Sequence, residues 1–313
     1  MRTALAALLL LAVAAVDCTA ADDQFPLFRT LTSDDPPRLI AYTPSQLDPR
    51  NEANQRALPT SSIRADLEAL RPAFDGLVLY GYHEACTPRI MAVAKDLDYR
   101  VVLLAIWDLK SSAEVDGCAR EANFWKDQFD LGVIVGNEGI TFGRYEREDL
   151  TIAGDRVRKQ LHRSIPIGTS EPLERSRDKF VHQFGDFVAP NIHPVFDQPD
   201  LDAAAAAAWA REQARALAQQ AGKPVILKET GFPHGGKPRY SNESQQAFWQ
   251  AYVEPGMIAP GSSGAWVYYG VAFEAFDLPW KQEASGLDVE DSWGLFTKDR
   301  TPLPAVGVWQ RRK

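Results

Sequence analysis

The chain has 313 residues, 45% hydrophobic and 24% charged, the proportions of a folded globular protein and not of a disordered one. A chain of that size can bury about three quarters of its unfolded surface, so a large core is available. Its 34 Lys and Arg against 42 Asp and Glu leave a net charge of −8 with no long basic run, which disfavours nucleic acid and anionic membranes as partners and leaves a neutral polymer open.

The N-terminus reads as a targeting segment. Met1 and Arg2 precede an Ala/Leu stretch, Thr3 to Val16, of 14 residues, where a bilayer span needs about 20. Small residues follow, and cleavage after Ala20 fits a signal peptidase site, so 1–20 is expected to be a signal peptide and the mature protein secreted or periplasmic. A lipid anchor on Cys18 is the alternative, against which Asp17 stands. No later segment is long and apolar enough to span a membrane. Residues 21–37, acidic and Pro-rich, read as an extended lead-in, and 38–313 as the folded domain.

From there two textures alternate. Short apolar runs predict buried strands at Arg38–Tyr42, Gly76–Tyr82, Arg100–Trp107, Leu131–Glu138, Ile165–Ser170, Phe187–His193, Pro224–Glu229 and Ser263–Val271. Helical periodicity lies between them at Ser61–Ala73, Thr87–Leu97, Ala119–Phe129, Glu146–Arg163, Leu173–Phe184, Leu201–Ala221 and Ser241–Glu254, with a short terminal helix near Ala305–Arg311. Asp202 caps the alanine-rich helix and Gly222 stops it. Eight strand–helix alternations predict an α/β fold, a single (β/α)8 TIM barrel. A doubly wound sheet is the runner-up, but Tyr42-Thr43-Pro44-Ser45 carries no glycine where its phosphate turn belongs.

Catalytic groups of such barrels sit where strands end. Strand four ends Gly136-Asn137-Glu138 and strand seven Lys228-Glu229-Thr230-Gly231, each an apolar run stopping on a glutamate. Two opposed carboxyl groups are what glycoside hydrolysis needs, against the alternative of two solvated strand ends. Aromatic residues crowd the same rim, among them Tyr80, Tyr82, Trp107, Phe196, Phe232, Tyr268, Tyr269, Trp280 and Trp293. Some are expected to stack on sugar rings, with Phe232, Tyr268 and Trp280 as candidates, and at least half to be core. The five histidines form no metal-ligand set, and no metal or cofactor is expected. Gly231 to Lys237 nearly spells a phosphate loop but meets Pro238 where Ser or Thr is required. Asn242-Glu243-Ser244 is a formal glycosylation sequon that reads better as a helix start.

Gly136-Asn137-Glu138, Lys228 to Pro233 and Phe273 to Lys281 together resemble glycoside hydrolase family 17, the β-1,3-glucanases and related glucanosyltransferases. Tyr80–Trp107 and Glu290 to Phe296 add to the resemblance, which runs in order from about Leu39 to Leu303. It implies a retaining mechanism, with Glu138 as acid/base and Glu229 as nucleophile. It also implies sugar contacts from Asn137, Tyr42 and His193, and cleft-lining roles for Lys281 and Glu290. One departure is Leu278, where the family motif Phe-Asp-Glu-Pro-Trp-Lys has a glutamate. The expected substrate is a β-1,3-glucan, hydrolysed or, alternatively, transferred to another sugar; a weak glucan-binding barrel is the third reading. A monomer is expected.

Once Cys18 leaves with the leader, Cys86 and Cys118 remain. In an oxidising compartment they read as a disulfide joining the end of strand two to the start of the helix after strand three, against two buried thiols.

Overall fold

The sequence Val-Val-Leu-Leu-Ala-Ile at 101–106 is buried at every position, as a strand covered on both faces must be. Nine further strands share its sheet in a computed structural model that describes residues 25–261 and 264–311. In chain order they are β1 (Leu39–Tyr42), β2 (Gly76–Leu79), β3 (Val101–Ile106), β4 (Asp130–Asn137), β5 (Ile167–Ser170), β6 (Phe187–Val188), β7 (Val225–Ile226), β8 (Ile258–Pro260), β9 (Trp266–Tyr268) and β10 (Val271–Ala272). The spatial order is β10-β1-β2-β3-β4-β5-β6-β7-β9-β8, parallel throughout except for the β8–β9 pair. Only Tyr269 and Gly270 separate β9 from β10, so the two ends of the parallel run lie on adjoining stretches of chain. The result is a curled, barrel-like α/β fold. The expected signal peptide lies outside the described residues.

Strand periodicity sorts the core. Val101, Leu103 and Ala105 point inward with Leu39, Val78, Ile134, Phe187, Ile226, Trp266 and Val271, while Val102, Leu104 and Ile106 face the helices. β6 and β7 are shorter than expected because Pro190 has no N–H for a ladder. The chain stays extended past them, with isolated bridges from Asn191 to Pro172 and to Glu229.

Two expectations are corrected here. The lead-in is not extended throughout: Pro26–Leu31 is a helix whose Leu27, Phe28 and Leu31 are buried. Phe28 meets Phe187 and Trp266 edge-on at 6.2 and 5.3 Å, and Thr30 Oγ1 donates to Asp130 at the start of β4 (2.6 Å). The helix therefore closes the barrel at the N-terminal ends of its strands, where inward-facing apolar residues would otherwise meet water.

Nor are Cys86 and Cys118 bridged: both are buried free thiols. The helix expected from Ala119 begins at Ser112, capped by Ser111, whose hydroxyl accepts from the Glu114 amide (3.2 Å). Cys118 is thereby carried about 9 Å along the helix from its start, at ~1.5 Å per residue, and turned into the core. Cys86 caps a different helix, Thr87–Asp96.

Candidate active site

Glu138 directly follows β4 and Glu229 lies three residues past β7, so both leave the sheet at the same end. Local geometry forces the first into place. Gly136 takes φ 78°, and a Cβ there would lie 2.2 Å from Tyr145 Oη, so no larger residue fits. Glu138 itself takes φ 56°, uncommon for a residue with a side chain, and its N–H is held by the Ser170 carbonyl (2.8 Å). Such strain persists only where the surroundings over-determine it. Here the loop after Glu138 is tied to buried Glu171, whose carboxylate accepts from the Ile140 and Thr141 amides (3.0 and 3.1 Å) and from Thr141 Oγ1 (2.7 Å).

Asn191 couples the two glutamates. Its backbone pairs beside Glu229, and its Nδ2 donates to Glu138 Oε1 (2.8 Å). Glu229 is more heavily held. Oε1 accepts from Tyr80 Oη (2.9 Å) and from Lys228 Nζ, and Oε2 faces His193 Nε2 at 3.3 Å. Lys228 Nζ also donates to Asn137 Oδ1 (2.7 Å), which accepts from Ser170 Oγ (3.1 Å) as well.

The two carboxyls are driven apart. Burial alone would raise both. For Glu229 the charge of Lys228 and the contact with His193 overcome it, and the group is held far below the usual carboxylate range. For Glu138 burial and the charge of Glu229 together push it up, against smaller pulls from Asn191, Lys228 and His193. One group is thus kept ionised and its neighbour biased toward the acid.

Both open into a cavity of about 1420 Å³, larger than the roughly 300–1,000 Å³ of a small-ligand pocket. Tyr42, Asn137, His193, Trp280, Lys281 and Glu290 line it too. Tyr42 is almost wholly buried, its hydroxyl donating to Asp66 Oδ2 (3.0 Å). His193 meets Phe273 and Trp293 edge-on, each at 5.2 Å. Phe232 and Tyr268 do not belong to the cleft. Phe232 stacks on Phe248 under helix Asn242–Val253, and Tyr268 fills the barrel interior with its hydroxyl on the Pro37 carbonyl, below β1. Strand alternation points the Tyr268 ring into the core.

Sequence reasoning missed four groups. Lys228 and Asn191 join the pair to their surroundings. Glu114 accepts from the amides of Trp107 (2.5 Å), Asp108 (3.1 Å) and Tyr82 (3.3 Å), fixing the loops after β3 and β2. Glu274, just past β10, is buried and grips Lys281 Nζ through both oxygens at 2.7 Å. Leu278 is buried, and the carboxylate facing Lys281 is that of Glu274. The signals available were a lysine in an apolar strand for Lys228 and the place of Glu274 inside the Phe273 to Lys281 motif; Asn191 carries none.

A barrel-like α/β sheet with two neighbouring glutamates shifted in opposite directions and opening into one large cavity has the form of a glycosidase. The chain belongs to the BtgE/BtgC glycoside hydrolase domain family, which matches residues 40–294. A probable glucan endo-1,3-beta-glucosidase btgC of Aspergillus fumigatus is 24% identical over 87% of this chain and 41% of its own. A putative glucan endo-1,3-beta-glucosidase btgC of Aspergillus niger is 30% identical over 48% and 24%. The chain thus spans less than half the length of these curated relatives. A glycoside hydrolase family 17 β-1,3-glucanosyltransferase of Rhizomucor miehei shares the fold at TM-score 0.65 and 18% identity, covering 92% of this chain and 98% of that one. An endo-laminarinase from Formosa does so at TM-score 0.66 and 14% identity, covering 89% and 84%. The resemblance to glycoside hydrolase family 17 is borne out.

Proposed function

We propose that this is an exported retaining glycoside hydrolase that cleaves β-1,3-glucosidic bonds, folded as one (β/α)8 domain over 38–313 in which β9 and β10 are halves of the eighth strand. The observation that carries the reading is the division of labour between Glu138 and Glu229. Glu229, ionised, attacks the anomeric carbon and forms a glycosyl ester. Glu138 gives its proton to the departing glycosidic oxygen. Once Glu229 is an ester its charge is gone, Glu138 loses the neighbour that kept it protonated, and it can take a proton from water. That water displaces Glu229, and two inversions leave the β configuration. The glucan substrate is supported by the names of the relatives and by the cavity's size.

The test separates the two carboxyls. Glu229→Ala should leave almost no activity on any substrate. Glu138→Ala should still glycosylate Glu229 when the leaving group needs no proton, and azide should release the ester as the β-glycosyl azide. An α-azide, or rescue in the Glu229 variant instead, reverses or sinks the assignment.

A second reading, transfer to a sugar acceptor, is favoured by Trp107 and Phe142. Both line the cleft on loops after β3 and β4, 44% and 67% exposed, as platforms for a second sugar. Lengthened or branched products from a defined β-1,3-oligosaccharide would establish transfer; shortened products alone would establish hydrolysis.

A further inference from the structure

Lys228 is 0% exposed, and its ammonium has two acceptors, Glu229 Oε1 and Asn137 Oδ1 (2.7 Å). It also lies 4.7 Å from the centre of the Tyr80 ring, whose hydroxyl donates to the same Glu229 oxygen. Burying a charge is costly, and an ion pair in the interior seldom recovers more than that cost. A lysine serving stability alone would not have to sit on an attacking atom.

We propose that Lys228 fixes which of the two carboxylates is the ionised nucleophile and hastens its release in the second step. The inference rests on the double displacement proposed above. When Glu229 forms the ester, its negative charge passes into the sugar bond and Lys228 loses its counter-ion. When water attacks and Glu229 leaves with the bonding electron pair, that counter-ion returns. The lysine therefore slightly opposes the first step and favours the second. It acts through Glu229 and is a positioning residue.

The groups facing Glu229 are Tyr80 after β2, Glu138 after β4, His193 after β6, and Glu274 with Lys281 beyond β10. All remain when Lys228 is replaced, and the contact with His193 still holds part of the depression. The test is the pH profile of kcat/KM on an aryl β-laminaribioside. In Lys228→Met the acidic limb should rise by about one pH unit or more, the loss of one opposite charge at contact. Aryl release should show a burst near one equivalent per enzyme, because release of Glu229 becomes limiting. Lys228→Arg, which keeps the charge, should retain the wild-type acidic limb.

An active Lys228→Met variant with an unmoved acidic limb and no burst overturns the proposal while leaving the function intact. A wild type inert toward β-1,3-oligosaccharides overturns both. Should Lys228→Met not fold, Lys228→Gln, which removes the charge and keeps a donor for Asn137 Oδ1, is read in the same way: a raised acidic limb with a burst supports the proposal, and an unmoved limb without one overturns it.

Discussion

Glu274 shows how a single buried carboxyl answers to its surroundings. Burial pushes it up to about 7, with Lys281 pulling it back and the charges of Glu290 and Glu229 adding to the rise. The folded protein therefore binds this proton more tightly than the unfolded chain, where the value is about 4.3. Stability from this group is unaffected below that value and is lost as pH rises through about 7. Between pH 5 and 7.5 the loss is up to about 3 kcal/mol. Glu274→Gln should flatten it, and urea unfolding at the two pH values checks this; an unchanged difference would exclude Glu274 as its source. The absent charge at Leu278 was legible in the sequence, whereas the pairing of Glu274 with Lys281 was not. Glu274 lies four residues upstream, and only the turn after β10 brings it to Lys281. The glutamate pair was legible because each ends an apolar run. Lys228 and Asn191 were not, since a side chain's partners across a sheet leave no mark on local pattern.

The loop from Glu138 to Thr141 is the element on which the proposed acid/base geometry depends. Its clamp is Glu171, at the end of β5, with three hydrogen bonds to the loop. Glu171→Ala leaves two amides and a hydroxyl without partners, for a cost of about 2–4 kcal/mol. It also frees Glu138 from its left-handed backbone. With Glu138 as the proposed acid, activity should fall most on substrates with poor leaving groups, which need a delivered proton, and least on activated aryl glycosides. Equal losses on both would place the effect elsewhere. Strands were readable as elements because buried parallel strands are continuous apolar runs, and the alanine-rich helix because Asp202 and Gly222 mark its ends. The start of helix Ser112–Trp125 was misplaced although Ser111-Ser112-Ala113-Glu114 spells a capping signal. In the fold Glu114 turns its carboxylate to the loops after β2 and β3, so the element is defined by the site as much as by its own periodicity.

At the scale of the whole barrel the candidate cleft and the stabilising closure lie at opposite ends. Helix Pro26–Leu31 was hidden in the sequence because Phe25, Leu27, Phe28 and Leu31 are set among prolines and charged residues, and a single turn is too short for periodicity to declare itself. What makes it form is the interior above it: Leu39, Val101, Phe187 and Trp266 need an apolar cover, and the helix supplies one. Phe28 is its centre, 3% exposed and edge-on to three rings, Phe25, Phe187 and Trp266. Phe28→Ala removes that ring and leaves a cavity, which costs about 3–5 kcal/mol and lowers Tm on the order of 10 °C. Glu138 and Glu229 stand at the C-terminal ends of the strands, so kcat and KM below the transition should match the wild type. Calorimetry and kinetics on the same preparation check both halves. A large loss of kcat with Tm unchanged would mean that the N-terminal helix acts on the cleft and not on the closure of the barrel.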